Sequence, residues 1–224
     1  MHLNCVVGVL PVCVLLSPMD FQPACKNGHL ETAKWLFTLG GVNVHARNDE
    51  AFRLACRFGH VETAKWVLTL GGVDVHAGND YAFWQACANG HLETARWLVS
   101  FGHVDVHAND DYAFRGACGN GHLETAKWVL SLGGVDVHVF KDEAFLCACA
   151  GGHLETARWV LTLGGVDVHA DNDDAFRSAC EGGHLETARW LVSLDPEKMD
   201  QMDLAPIKTW SNAKGVWIHA VLSV

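Results

Sequence analysis

The fold is decided by the stretch Gly90-His91-Leu92-Glu93-Thr94-Ala95-Arg96-Trp97, which recurs along the chain with small changes. Successive copies follow a constant period of 31 in residue number and start at Gly28, Gly59, Gly90, Gly121, Gly152 and Gly183. A fixed period of this size is typical of a repeat array, in which each unit buries its apolar face only against its neighbours. The chain therefore divides into an apolar leader (1–18), six repeats with this period (19–195) and a degenerate capping segment (196–224).

Composition narrows the class of partner. Sixteen Lys and Arg against 26 Asp and Glu give a formal charge of −10. This charge argues against a protein that follows nucleic-acid phosphates, and it favours a neutral or basic protein partner.

Cysteine usage indicates the compartment. Six of the nine cysteines fall at one position of the repeat, which predicts small buried residues rather than a disulfide framework. A reducing, cytoplasmic location is therefore favoured over secretion. The six are Cys25, Cys56, Cys87, Cys118, Cys149 and Cys180.

The leader is apolar from Leu3 to Leu16. This run is too short for a membrane span, which needs roughly 20 residues. A secretory signal is disfavoured because no Lys or Arg precedes the apolar run, Pro11 interrupts it and no small-x-small cleavage site follows. The alternatives are a hydrophobic cover for the first repeat and a start that is not the natural one.

One inner unit shows the expected local structure. A first helix is predicted at residues 82–88, with Asn79 or Asp80 as N-cap. Gly90 ends it in a left-handed conformation, and a second helix follows over about 92–100. The alternating residues 104–107 form an extended linker to the next unit. Each second helix is expected to carry a surface ion pair at i, i+3: Glu31 with Lys34, Glu62 with Lys65, Glu93 with Arg96, Glu124 with Lys127, Glu155 with Arg158, and Glu186 with Arg189.

This order of helix, Gly-His turn, helix and Val-Asp-Val-His linker resembles the ankyrin repeat family. The resemblance implies an all-α solenoid of stacked helix-turn-helix units with short extended or hairpin linkers. The usual Thr-Pro-Leu-His opening is replaced by variants such as Tyr112-Ala113-Phe114-Arg115. The hydrogen bonds of that Thr and His between units are therefore expected to be absent. The period is 31 rather than 33, so the linker tip should be shortened. This Ala-Phe-Arg subtype is similar to ankyrin repeats of large DNA viruses and protists.

The repeated His and Trp residues are interpreted as structural. Packed helices lie ~8 to 10 Å apart, whereas two imidazoles that share one zinc ion each lie about 2 Å from it. Shared metal ligation is therefore disfavoured, and no cofactor is expected. We expect each turn His to hydrogen-bond to backbone and to hold the next unit, and the repeated Trp residues to form core or backing.

No single constellation of nucleophile, base and orienting group occurs, so an enzyme is the least favoured class. Four columns of residues differ between the copies instead, and in ankyrin proteins such positions line the concave binding face. The resemblance therefore implies a monomeric protein-binding scaffold. Trp84 and Phe140 could instead only pack locally. The predicted binding residues are Arg53, Tyr81, Trp84, Tyr112, Arg115, Phe140, Leu146 and Arg177.

Two alternatives stay open. The chain could be an adaptor that tethers a partner to another machine or a membrane through its terminal segments. The acidic residues that precede each first helix, such as Asp110 and Asp111, could cap helices or attract a partner.

Overall fold

The structure is a computed structural model that describes residues 20–196, where the chain forms twelve helices and no strand. Units 1 to 6 each contain a first and a second helix. Within residues 20–196, every helix is too short or too polar to cross a bilayer. The helices are α1 (Phe21–Lys26), α2 (Leu30–Thr38), α3 (Ala46–Arg57), α4 (Val61–Thr69), α5 (Ala77–Ala88), α6 (Leu92–Val99), α7 (Ala108–Gly119), α8 (Leu123–Ser131), α9 (Val139–Ala150), α10 (Leu154–Thr162), α11 (Ala170–Gly182) and α12 (Leu185–Leu194).

The core runs through the stack as one continuous cluster. Each first helix packs against its own second helix and against the first helices of the neighbouring units. In units 1 to 5, the Phe of the first helix contacts the Trp of the following unit's second helix, as Phe83 contacts Trp128 with ring centroids 6.4 Å apart. Trp35, in unit 1, is 49% exposed. The repeated Trp residues of units 2 to 6 thus form the predicted backing between units.

Each of units 2 to 6 begins its first helix with a left-handed turn. In unit 4 the residues Asn109, Asp110 and Asp111 all have φ between 55° and 58°. Equivalent triplets begin at Arg47, Gly78, Phe140 and Asp171. The left-handed region is unfavourable for residues with a Cβ, so other contacts must stabilise these turns.

A buried carboxylate at the end of each turn joins consecutive units. The carboxylate of Asp80 accepts a hydrogen bond from Nδ1 of His76 (2.6 Å). It accepts another from the backbone N–H of Asp105 (2.9 Å), which lies in the linker that leads into the next unit. We call this pair of hydrogen bonds the carboxylate bridge. It joins consecutive units in a chain that lacks the Thr-Pro-Leu-His opening, whose Thr and His usually form the hydrogen bonds between units. Asp49, Asp111 and Asp142 make the same pair of contacts.

Asn79 and Asp80 were the predicted N-caps of this helix. The carboxylate of Asp80 makes the two contacts of the bridge instead, and the side chain of Asn79 contacts Asn109.

The Gly-His turn provides a second contact between units. A methyl group placed on Gly59 would come within 2.4 Å of Nδ1 of His91, so the imidazole lies directly against the glycine of the preceding unit. Gly59 also has φ +76°, which favours glycine. His91 hydrogen-bonds to the backbone of Arg57 in that unit. The predicted backbone role of this turn histidine is observed, but the unit that it holds is the preceding one.

The expected surface ion pairs form in four of the six units, at Nζ or Nη to Oε distances between 2.7 and 3.7 Å. The other two predictions were wrong. Arg96 lies over the ring of Trp128 and Arg158 lies over the ring of Trp190, 5.5 and 5.2 Å from the ring centroids. A guanidinium is planar and stacks on an aromatic face, which explains this choice.

Asp111→Asn tests the carboxylate bridge. The amide would keep one acceptor oxygen but would present an N–H group to a second donor, so we expect stability to fall by about 2 kcal/mol. Urea unfolding followed by circular dichroism measures the change. Asp110→Asn is the matched control, because Asp110 lies in the same left-handed turn, is exposed and makes no side-chain hydrogen bond in the described residues. Equal effects of the two changes would contradict the bridge.

The turn histidines predict a pH dependence. Burial, and then the neighbouring imidazoles, lower the pKa of His91, His122 and His153 below the ordinary 6.5. The unfolded chain takes up these protons first as pH falls, so the contribution to stability is complete above pH 6.5 and decreases below it. We expect NMR titration of the three imidazoles to give midpoints below 6.5. Midpoints at or above 6.5 would show that the rings are solvated and that the packing against glycine is wrong.

Candidate functional site: the first-helix face

The columns that differ between units lie on one side of the first helices. In α3, Glu50, Arg53, Leu54 and Arg57 are partly exposed, and the residues at 51, 52, 55 and 56 are buried. The exposed set follows the spacing of one helical face. We call this surface, together with the left-handed turns beside it, the first-helix face.

Six of the eight predicted residues form one continuous row across this face. The guanidinium of Arg53 lies 4.7 Å from the ring centroid of Tyr81, and the rings of Tyr81 and Trp84 have centroids 4.6 Å apart. Trp84 in turn contacts Tyr112 at a centroid distance of 4.9 Å. The row thus crosses from unit 2 to unit 4 through side chains that each touch the next.

Arg115 in unit 4 extends the row to Phe140 in unit 5. Its guanidinium lies 5.4 Å from the ring centroid of Tyr112 and 4.8 Å from that of Phe140, and it forms an ion pair with Glu143. The side chain of Arg115 is only 10% exposed, whereas Phe140 is 61% exposed. Phe140 is therefore the member of the row that is most open to a partner.

The residues at position 53 and its equivalents, 84 and 115, also donate hydrogen bonds to the left-handed turns. Arg53 donates hydrogen bonds to the carbonyl oxygens of Asn48 (2.8 Å) and Arg47 (2.9 Å). Arg115 does the same in unit 4, and Trp84 donates from Nε1 to the carbonyl of Asn79 (3.1 Å). Sequence reasoning missed this role, because it depends on carbonyl groups that converge only when the turn is left-handed.

Leu146 and Arg177 lie in the same column but outside the row. Leu146 packs against the core cluster and has no group that could donate to the turn of unit 5. Arg177 donates to the carbonyl of Asp171 and pairs with Asp174. Neither side chain makes a ring contact with the six others in the described chain.

A pocket of about 210 Å³ opens beside the row, between α7 and α9. A methyl group on Gly116 would lie 2.7 Å from Cβ of Ala88, and one on Gly119 would lie 2.9 Å from Cβ of Cys147, so both glycines permit close helix contact. The pocket could hold one side chain of a partner. Its lining residues are Tyr112, Arg115, Gly116, Gly119, Asn120, Glu143 and Cys147.

The thiols of this region are poorly suited to nucleophilic chemistry. Burial, followed by the carboxylate of Glu143, raises the pKa of Cys147 against an opposing effect of Arg115. Burial alone raises the pKa of Cys149 to about 12. The thiolate is the reactive form, so these groups stay protonated near neutral pH. All cysteines within residues 20–196 are free, and no three His, Cys, Asp or Glu side chains there are placed to hold a metal ion.

Arg53→Leu tests whether the hydrogen bonds from Arg53 stabilise the left-handed turn, because Leu is the residue that unit 5 has at the equivalent position, Leu146. Loss of the two hydrogen bonds to turn carbonyls should lower stability by about 1 kcal/mol in thermal or urea unfolding. Arg53→Lys should recover only part of the loss, since an ammonium group lacks the planar fork. An unchanged stability of Arg53→Leu would mean that these hydrogen bonds are replaced by water without cost.

Comparison with known proteins agrees with this stack of helix pairs. The family described as "Ankyrin repeats (3 copies)" matches residues 21–110, 52–141 and 114–202. The crystal structure of the human ASB11 ankyrin repeat domain is similar with a TM-score of 0.56 and 23% sequence identity, over 78% of this chain and 83% of that one. No curated protein matches the chain. Ankyrin repeats are in general protein-interaction modules, and the matched residues show that this chain belongs to the ankyrin repeat family.

Proposed function

We propose that the chain is a non-catalytic scaffold that binds another protein along its first-helix face. The observation that carries this proposal is the row from Arg53 to Phe140, which crosses four consecutive units. It brings together the residue types that dominate the energy of protein interfaces. A solenoid offers such a surface as an extended platform.

Some residues of the row also stabilise the fold, so they are poor choices for a mutation that tests binding. Arg115 has its donors occupied by turn carbonyls and Glu143, so its removal would disturb the scaffold as well as the surface. Tyr112 makes no hydrogen bond through its side chain within the described residues and presents a partly exposed ring. Trp84 contributes one hydrogen bond and a partly exposed indole. Tyr112 and Trp84 are therefore the better reporters of binding.

The double change Trp84→Ala and Tyr112→Ala should weaken binding of a captured partner at least tenfold, because two central aromatic contacts are lost. Affinity capture with the intact protein as bait identifies the partner, and titration calorimetry measures the dissociation constant. Helicity by circular dichroism should stay within a few per cent of the starting protein.

Lys65→Ala with Glu155→Ala serves as the control, because both residues lie on second helices, α4 and α10, away from the row. This control should bind like the starting protein. If the aromatic double variant also binds normally while remaining folded, the first-helix face is not the binding surface.

A further inference from the structure

The first-helix face carries a charge gradient along the stack. We consider the four variable positions in each unit, which are 47, 50, 53 and 57 in unit 2 and their equivalents at steps of 31. In unit 2, Arg47, Arg53 and Arg57 against Glu50 leave a formal charge of +2. In unit 6 the same positions are Asp171, Asp174, Arg177 and Glu181, which leave −2. The two ends of one surface therefore have opposite sign in a chain whose overall charge is −10.

Some of these charges neutralise one another locally. Arg47 pairs with Glu50 at 3.2 Å, and Arg177 pairs with Asp174 at 3.1 Å. Asp171 pairs with the exposed Lys141 of unit 5. Such exposed pairs contribute little energy and can exchange partners.

Among the four variable positions of each unit, the charged side chains that form no ion pair within residues 20–196 lie in units 2 and 6, at the two ends. Lys26 and Arg57 approach the same ring, Phe58, at 5.1 and 5.5 Å, and Arg57 also donates to the hydroxyl of Tyr81. Neither cation lies within ion-pair distance of a carboxylate in residues 20–196. At the other end, Glu181 is exposed and makes no ion pair within the same residues.

Between Arg57 and Glu181, the equivalent positions of units 3 to 5 carry small, uncharged residues. These residues are Ala88, Gly119 and Ala150. Beside them lie the aromatic part of the row and the pocket between α7 and α9. A partner can therefore approach the helices closely in the centre while its ends meet opposite charges.

We propose that the face binds a protein segment with segregated charge, and that the gradient fixes its direction. Carboxylates at one end of the segment lie over Lys26 and Arg57, apolar or small side chains lie over units 3 to 5, and a Lys or Arg lies near Glu181. This proposal rests on the scaffold function above and specifies the chemistry of its partner.

The dimensions support a directional role for the gradient. Units 2 and 6 are four steps apart, and packed helices are spaced by ~8 to 10 Å, so the ends are roughly 30 to 40 Å apart. Salt screens charges beyond about 8 Å at physiological ionic strength. Each end therefore acts on its own part of the partner. An extended segment of about 12 residues covers the distance.

A phage-displayed library of random peptides of that length, selected on the intact protein, tests the proposal. Enriched peptides should concentrate Asp and Glu in one terminal third and Lys and Arg in the other. The charge-swapped variant Arg57→Glu with Glu181→Arg keeps the net charge, and it should bind these peptides at least tenfold more weakly. Lys65→Glu with Glu155→Lys is the matched control on the second helices and should bind them unchanged.

The outcomes separate the two proposals. Enriched peptides with mixed or single-sign charge, or an unchanged affinity of the swapped variant, overturn the directional gradient even if Trp84→Ala with Tyr112→Ala abolishes their binding. A selection that enriches no peptide, or peptides that bind this aromatic double variant normally, overturns the scaffold function and the gradient together.

Discussion

A buried carboxylate shared between consecutive units is the interaction on which the rest of the stack depends. A carboxylate is costly to bury unless its oxygens are hydrogen-bonded. Asp80 meets that condition only when its own linker histidine and the next linker's backbone N–H are both in place. The same condition recurs at Asp49, Asp111 and Asp142, so each linker fixes the position of the following one. The first helices start from these linkers, and the carboxylates thereby set the spacing of every side chain on the first-helix face.

Much of the architecture could be predicted from the sequence because it depends on periodicity. The recurrence with a period of 31, the Gly-His turn and the Cys column are local patterns that every unit repeats, and the structure confirms the helix pairs that they indicate. Five of the six repeated cysteines are buried as predicted, whereas Cys180 in the last unit is partly exposed. The left-handed turns could not be predicted in this way. Arg47 and Phe140 adopt φ of 54° and 52°, a region that ordinary side chains avoid. In unit 2, hydrogen bonds from Arg53 to the turn carbonyls and the contact of Asp49 with the next linker stabilise that conformation. These contacts form only in the folded stack, so a single copy of the repeat does not reveal them. For the same reason, the sequence indicates Asn79 or Asp80 as a helix cap and does not reveal the contact between Asp80 and the next linker.

The candidate site was predictable in part. Comparing the copies with one another selects Arg53, Tyr81, Trp84, Tyr112, Arg115 and Phe140, and the structure places these side chains in mutual contact. Variation between copies does not reveal that Arg53 and Arg115 also hold backbone carbonyls, since that role requires the three-dimensional turn. The pocket beside Gly116 depends on the distance between helices, which no column of residues encodes.

The link between units has a consequence for how such a protein can change its length. Every carboxylate bridge joins one unit only to the next, through equivalent atoms. An unequal crossover that deletes one whole repeat would give Asp80 the backbone N–H of Asp136 in place of that of Asp105, with the same chemistry on both sides of the junction. Recombination could therefore remove or add whole units and keep the same carboxylate contact at every junction. The order of the variable residues on the first-helix face would change.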